Sequence, residues 1–122
     1  MTKTILIADD EPNIRQLVAF TLRRRGYTII EAEEGKTALD LIRRERPDLA
    51  VLDVMMPGLS GIAIVQQLTR DPNVADIPVI LLSAKGQGVE IEEGLASGAQ
   101  LYLVKPFSPR ELAERVAEML DA

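Results

Sequence analysis

Apolar and polar residues alternate along this chain in two recurring patterns. Runs of four apolar residues, as at 49–52 and 79–82, have the length of buried strands. Between such runs, apolar residues return every three or four positions, as across 13–25, 36–46 and 61–70, which is typical of amphipathic helices. Because the two patterns alternate five times, we expect repeated βα units and a parallel sheet.

Glycine, proline and serine mark the ends of several predicted helices. Gly26 follows the first helix as a C-cap, and Pro47 stops the second. The fifth predicted helix opens with a capping box formed by Ser108 and Glu111, and Pro109 suits its first turn. The fourth is the weakest prediction, because three glycines that each cost up to about 1 kcal/mol in a helix lie in or beside it: Gly86, Gly88 and Gly94. We expect that segment to be short or mobile.

Length and composition narrow the class of protein. The chain has 122 residues, which predicts a single domain over 1–122. It has no cysteine, so disulfides and thiolate metal sites are excluded. The longest apolar run is far shorter than the ~18 residues of a membrane span, and acidic residues directly follow the first run, unlike in a leader peptide. We therefore expect a cytoplasmic protein without membrane contact.

Charge and the absence of histidine limit the chemistry further. The net charge of −5 argues against direct nucleic-acid binding, which normally needs a basic face. The basic clusters at 23–25 and 43–44 are interpreted as solvated helix ends, where cations are favoured. With no histidine, the chain cannot form a phosphohistidine or use an imidazole base or ligand. Any phosphoryl donor must come from outside.

Four apolar runs end in residues suited to phosphoryl or metal chemistry. The runs lead into Asp9 and Asp10, Asp53, Ser83, and Lys105. The carboxyl ends of neighbouring parallel strands share one edge of a sheet, where ligands bind in open α/β folds. Three carboxylates gathered there repel one another unless a cation neutralises them. Mg²⁺, which binds through few carboxylates and keeps waters, is the cation we expect.

Each of these residues also has a plainer interpretation. The acidic segment 9–12 can cap the first helix, Ser83 can be a turn residue, and Lys105 a surface lysine. Taken together, they favour a site in which Asp53 is an oxygen nucleophile for covalent phosphoryl transfer. Lys105 would compensate charge and Ser83 would donate a hydrogen bond. The bond from Lys105 to Pro106 can be cis and turn the lysine inward, although most such bonds are trans.

The whole chain resembles the receiver domain of two-component response regulators, in its single-domain, chemotaxis-regulator-like form. The resemblance covers residues 4–120 and rests on these matches: Asp9-Asp10, the stretch 53–57 with Gly61, Ser83-Ala84, and Lys105-Pro106-Phe107. It implies an α/β fold with a doubly wound, five-stranded parallel sheet of order 2-1-3-4-5, a flavodoxin-like three-layer (βα)5 sandwich; the strand order is one that receiver proteins exemplify.

The resemblance also implies a role for each site position. Asp53 would accept the phosphoryl group, and Ser83 and Lys105 would engage its oxygens. Tyr102 would be the aromatic switch, turning inward when Ser83 is drawn toward the phosphate; the alternative is an interface tyrosine that does not move. Mg²⁺ would be held by these residues: Asp9 (directly or through water), Asp10, Asp53 and the backbone carbonyl of Met55.

The function implied is a phosphorylation-dependent signalling switch. A histidine kinase or histidine phosphotransfer protein would donate the phosphoryl group, and the face of the predicted fourth helix, fifth strand and fifth helix would change for a downstream output protein or domain. The chain would not be an enzyme acting on a free metabolite. Its own chemistry would be self-phosphorylation and slow self-dephosphorylation, because Met55 and Lys85 are poor at orienting an attacking water.

One departure from the family concerns dimer formation. Many transcription-factor receivers have an acidic pair where this chain has Gln100-Leu101, and those acids help to form a dimer. Their loss places that dimer in doubt, although a phosphorylation-dependent dimer stays open. Leu101 would offer an apolar contact to a partner or face the core.

Three other functions use similar residues or the same topology. A haloacid-dehalogenase-type phosphatase needs a second aspartate two residues after the nucleophile, where this chain has Met55. A flavodoxin-like cofactor carrier needs a loop that cradles phosphate, whereas 10–13 is acidic and lacks glycine. A receiver that docks partners without phosphorylation is the remaining alternative.

Overall fold

Five strands and four helices make up the part of the chain that this computed structural model describes, residues 2–83 and 96–121. The strands are β1 (Thr4–Ala8), β2 (Thr28–Ala32), β3 (Leu49–Asp53), β4 (Val79–Ser83) and β5 (Leu101–Val104). The helices are α1 (Pro12–Arg24), α2 (Gly35–Glu45), α3 (Gly61–Thr69) and α4 (Pro109–Asp121). The helix predicted between β4 and β5 falls on residues outside the described ranges, so α4 is the helix predicted as the fifth.

All strand pairs are parallel, in the order β2-β1-β3-β4-β5. The prediction of a doubly wound sheet with order 2-1-3-4-5 is therefore confirmed. Ala8 lies beside Leu52 in the register, and Ser83 lies beside Val104. The carboxyl ends of β1, β3, β4 and β5 are consequently almost level, which sets the residues that follow them along one edge.

The core consists of two apolar layers, one on each face of the sheet. Successive residues of a strand point to opposite faces, so Leu6 joins the layer under α2 and α3 and Ile7 joins the layer under α1 and α4. Every residue of β3 and β4 is buried. Burial on both faces explains why these strands are continuous apolar runs instead of alternating ones.

Helix ends lie within one or two residues of their predicted positions. Gly26, two residues beyond α1, has a φ of +94°, a left-handed conformation that glycine adopts without steric cost. Ser108 Oγ accepts a hydrogen bond from the Glu111 amide at 3.3 Å, which confirms the predicted cap of α4. The sequence analysis missed the cap of α3, in which Ser60 Oγ accepts from the Ala63 amide at 3.1 Å.

No helix among residues 2–83 and 96–121 has the length and apolar character needed to cross a membrane. Leu101 of β5 packs partly buried against the core layer under α1 and α4. This position favours the core interpretation of Leu101 over a contact with a partner. Gln100, just before β5, accepts a hydrogen bond from the Val79 amide through Oε1 at 2.6 Å.

Candidate functional site

The residues that follow or end four strands meet at the carboxyl edge of the sheet. Asp53 and Ser83 are the last residues of β3 and β4, while Asp9 and Lys105 directly follow β1 and β5. Asp9 is fully buried, and Asp53 and Ser83 are each 3% exposed. The topology thus assembles chemically active side chains from segments that are far apart in the chain.

Lys105 provides the cation of this cluster. Its Nζ lies 2.9 Å from Asp9 Oδ2, 2.9 Å from Glu11 Oε1 and 3.4 Å from Asp53 Oδ2. Burial of the ammonium group lowers its pKa, but hydrogen bonds to Glu11 and Asp9 and the nearby negative charges outweigh this, and the net pKa is raised above the ordinary value. Lys105 therefore stays charged at physiological pH. The peptide bond between Lys105 and Pro106 is cis, the less common of the two forms considered.

Asp9 is held on three sides within the loop between β1 and α1. Its amide donates to the Ala32 carbonyl at 3.2 Å, and its Oδ1 accepts from the Glu11 amide at 2.9 Å. Its buried Oδ2 lies 2.9 Å from Lys105 Nζ. Glu11 occupies the N-cap position of α1 without capping it through its side chain. The helix-capping interpretation of this acidic segment therefore explains little of its geometry.

Asp53 is a buried carboxylate with a perturbed affinity for protons. Burial and the negative charge of Asp9 raise its pKa from 3.8 to about 7, against the lowering effects of Lys105 and of the Met55 amide. That amide donates to Asp53 Oδ1 at 3.3 Å. Such a shift is common where a carboxyl group takes part in chemistry, though structural networks produce it too. Without an added cation, the Asp53 carboxyl group is therefore only partly ionised near neutrality.

Gly61, at the start of α3, approaches the backbone of Asp53 closely. A Cβ at this position would collide with the Asp53 carbonyl oxygen, and the Gly61 amide donates to the Val54 carbonyl at 3.0 Å. Only glycine allows the helix to begin so near the site. Gly61 thereby sets the path of the chain on both sides of Asp53.

Ser83 and Tyr102, the predicted switch pair, lie on neighbouring strands. Ser83 is joined to the lysine through backbone, since the Lys105 amide donates to its carbonyl at 2.6 Å. Tyr102 is partly buried against the layer under α2 and α3, and its hydroxyl is buried with no hydrogen-bond partner among the described residues. Whether the ring moves on phosphorylation stays a prediction.

Four carboxylates are close enough to share one cation. One oxygen each from Asp9, Asp10, Glu11 and Asp53 lies within 4.8 Å of the others. Three of them, Asp9, Asp10 and Asp53, were predicted from the sequence as ligands, whereas Glu11 was not. The run of three acids before Pro12 was the available signal. A hard divalent cation with oxygen ligands fits this set of four carboxylates.

The sequence matches a known protein family over most of its length. The sequence model of the family described as Response regulator receiver domain matches residues 5–117. The phosphate regulon transcriptional regulatory protein PhoB of Pseudomonas aeruginosa is 48% identical over 118 residues, which are 97% of this chain and 52% of that protein. The chain spans about half the length of the curated relatives it matches.

Solved structures give the same result. A putative response regulator from Chloroflexus aurantiacus superposes with a TM-score of 0.94 at 33% identity, over the full length of both chains. The chemotaxis response regulator CheY4 of Vibrio cholerae superposes with a TM-score of 0.91 at 32% identity, covering 98% of this chain and 100% of that one. The chain belongs to the response regulator receiver-domain family of two-component systems.

Proposed function

We propose that this chain is a phosphorylation-dependent switch in which Asp53 accepts a phosphoryl group from the phosphohistidine of a histidine kinase or phosphotransfer protein. The observation that carries this proposal is the position of Asp53, buried at the carboxyl edge of the sheet within 3.4 Å of Lys105. A carboxylate oxygen there can attack phosphorus while an ammonium group compensates the charge that the phosphoryl oxygens bring.

Mg²⁺ is the cofactor we propose for this reaction. Asp9, Asp10, Asp53 and the backbone carbonyl of Met55 would hold it, with Asp9 acting directly or through water. Bound there, the cation would screen the repulsion between the acceptor carboxylate and the incoming phosphoryl group. The four-carboxylate cluster supports this choice, because Mg²⁺ prefers oxygen ligands.

The chain's own residues account for the other requirements of the reaction. An Asp53 oxygen forms a bond to phosphorus as the phosphorus–nitrogen bond of the donor breaks. Asp53 must be deprotonated to attack, and the charge of Lys105 acts in that direction by lowering the pKa of Asp53. Lys105 and the Ser83 hydroxyl would then bind the oxygens of the acyl phosphate.

The signal would pass from Ser83 and Lys105 to the surface formed by the segment between β4 and β5, by β5 and by α4. Movement of Ser83 toward the phosphate would leave space that Tyr102 fills. The hydroxyl of Tyr102, which is buried without a hydrogen-bond partner among residues 2–83 and 96–121, supports this idea, because a polar group in that state gains by moving to a partner. A downstream protein or domain would detect the changed surface.

We expect the phosphorylated form to be long-lived. Met55, two residues after Asp53, is 68% exposed, and its apolar side chain is poor at orienting an attacking water. Lys85, the second residue predicted to slow hydrolysis, falls outside the described ranges. Loss of phosphate within seconds at neutral pH, in a phosphate-release assay, would contradict this expectation.

The output of the switch is a further proposal. The relatives named as transcriptional regulators suggest that phosphorylation here controls transcription. This proposal is compatible with the prediction that residues 1–122 do not contact nucleic acid directly, because that prediction concerns these residues alone. A phosphorylation-dependent dimer stays a prediction. The side-chain oxygen of Gln100 would not be free to bond a second chain there, because it accepts a hydrogen bond from the Val79 amide.

Intact mass after incubation with phosphoramidate and Mg²⁺ tests the proposal. Phosphoramidate carries the same phosphorus–nitrogen bond as phosphohistidine. We expect one added phosphoryl group on the native chain and on Asp40→Asn, which changes an exposed aspartate of α2, and none on Asp53→Asn. Equal labelling of all three proteins would refute Asp53 as the acceptor, and no labelling of the native chain would favour docking without phosphorylation.

Intact mass together with a phosphate-release assay on a phosphate ester separates the switch from an enzyme. A haloacid-dehalogenase-type phosphatase would release phosphate repeatedly, but the residue two positions after Asp53 is Met55 and offers no acid or base. We expect one labelling event per chain and no steady turnover of a phosphate ester.

A further inference from the structure

Arg15 is a buried arginine of α1 that none of the roles above includes. Its side chain is 9% exposed, and it lies among the few charged residues buried in the described part of the chain. Its guanidinium donates to three acceptors. Nη1 donates to the main-chain oxygen of Asp9 at 2.8 Å, Nε to Glu31 Oε1 at 3.3 Å, and Nη2 to Glu33 Oε1 at 3.2 Å.

The bond from Arg15 to Asp9 controls the direction of the chain at the cation site. The Asp9 carbonyl belongs to the peptide group that joins Asp9 to Asp10, and a peptide group is planar. Holding its oxygen therefore sets the orientation of the bonds that lead to the Asp10 Cα. Asp10 is exposed and has no hydrogen bond or ion pair of its own among the described residues. The backbone before it must place its carboxylate.

The two glutamates explain how a cation can be buried so close to a metal site. An unpaired guanidinium would repel a divalent cation. Here Glu31 and Glu33 lie within 3.3 Å of it and offset its charge. Lysine could not replace it fully, because one ammonium group lacks the planar fork that reaches a carbonyl and two carboxylates together.

We propose that Arg15 is a positioning residue for the cation site, which holds the Asp10 carboxylate in place through the Asp9–Asp10 peptide. The inference rests on the proposed function, since it assumes that this site takes Mg²⁺. Partners that orient metal ligands typically change metal affinity by about 10- to 100-fold when removed. Arg15 would act in this way through backbone instead of through the ligand side chain.

Calorimetric titration with MgCl₂ tests this role. We expect Arg15→Met to weaken Mg²⁺ binding by about tenfold and Arg15→Lys by a smaller factor of about three, because lysine keeps the charge but not the fork. Arg23→Met is the matched control. Arg23 contacts the same Glu31, at 3.2 Å, but not the Asp9 carbonyl. The Mg²⁺ affinity of Arg23→Met should therefore stay within about twofold of the native value.

In amide NMR spectra, the MgCl₂ concentration that saturates the Asp10 and Glu11 signals is a readout that a purely structural role would not change. In folded Arg15→Met without Mg²⁺, the Asp10 and Glu11 signals should shift more than those of α3, and saturation by Mg²⁺ should need more of the ion. If Arg15→Met does not fold, Arg15→Lys decides. Native-like Mg²⁺ affinity in the folded Arg15 variants would overturn this inference alone, whereas no Mg²⁺ binding by the native chain would overturn it together with the proposed cofactor.

Discussion

At the scale of single residues, Lys105 balances the charge of the site. Its ammonium group lies within 3.4 Å of carboxylates from three residues, two of them buried. Removing it would leave Asp9 and Asp53 as like charges with reduced access to water. The lysine therefore has a structural role before any phosphoryl group arrives.

We expect Lys105→Met to lower the free energy of unfolding by about 2 kcal/mol at pH 8 without Mg²⁺. This loss is smaller than the loss expected for a fully buried ion pair, because one side of the cluster is open. Urea denaturation measures the change. Glu11→Gln is the control, and it should shift stability by less than about 1 kcal/mol because Glu11 is largely exposed. A smaller loss in Lys105→Met than in Glu11→Gln would contradict the assigned balance of charge.

The raised pKa of Asp53 predicts how stability depends on pH. The folded pKa of about 7 exceeds the ordinary value of 3.8, so the folded state binds this proton more tightly than the unfolded state. The contribution of Asp53 to the free energy of unfolding is therefore largest below pH 3.8 and falls as the pH rises toward 7. Each pKa unit corresponds to about 1.4 kcal/mol.

Asp53→Asn removes this dependence. Without Mg²⁺, we expect the unfolding free energy of the variant to rise by about 2 kcal/mol relative to that of the native chain as the pH goes from about 5 to about 7.5. The reason is that the amide does not ionise in this range, whereas the native carboxyl group does. Denaturation curves at several pH values measure the gain, with Asp40→Asn as an exposed control that should keep the native slope. A constant difference between Asp53→Asn and the native chain would disprove the raised pKa.

At the scale of elements, the end of β3 and the start of α3 depend on each other. Gly61 allows α3 to begin against the backbone of Asp53, and the Ser60 side chain caps the same turn. A change at this junction would move Asp53 itself. The helix is thus part of the site although it contributes no charged group.

We expect Gly61→Ala to lower unfolding free energy by about 2 kcal/mol, because the added methyl group meets backbone that cannot move freely. It should also weaken Mg²⁺ binding through displacement of Asp53. Gly26→Ala is the control, because its Cβ would meet no atom within 4 Å. The left-handed backbone alone should lower the unfolding free energy of this variant, by about 1 kcal/mol. Its Mg²⁺ affinity should be unchanged. Equal Mg²⁺ affinity in both variants would contradict the coupling.

Elements were easier to predict from sequence than the contacts between them. Runs such as 49–52 are strands because both sheet faces are covered, and that leaves a clear apolar signature. Asp53 and Lys105 could be found since topology alone brings strand ends together. The contact of Glu11 with Lys105 joins residues 94 positions apart, and the bond of Arg15 to the Asp9 carbonyl depends on side-chain reach. Neither leaves a local pattern.

At the scale of the whole molecule, binding of a cation at one edge should stabilise the entire fold. A ligand that binds only the folded state adds about 1.4 kcal/mol when present at about ten times its Kd. For a domain of this size, the melting temperature Tm should then rise by about 5 °C. The acidic cluster therefore links the site to global stability.

Thermal unfolding with and without MgCl₂ tests this link. We expect MgCl₂ to raise the Tm of the native chain and to raise that of Asp10→Asn much less. Without Mg²⁺, the Tm of Asp10→Asn should be close to the native value, because Asp10 is exposed. Asp40→Asn should respond like the native chain. An equal rise in Asp10→Asn would place the cation elsewhere.

The position of Tyr102 gives the protein a built-in optical reporter. The chain has no tryptophan and two tyrosines, so Tyr27→Phe would leave Tyr102 as its sole strong ultraviolet fluorophore. The hydroxyl of Tyr102 is sequestered from solvent and lacks a hydrogen-bond partner within the described segments. Reorientation of this ring would alter its emission intensity and its quenching by iodide, so the proposed movement can be tested without attaching a dye.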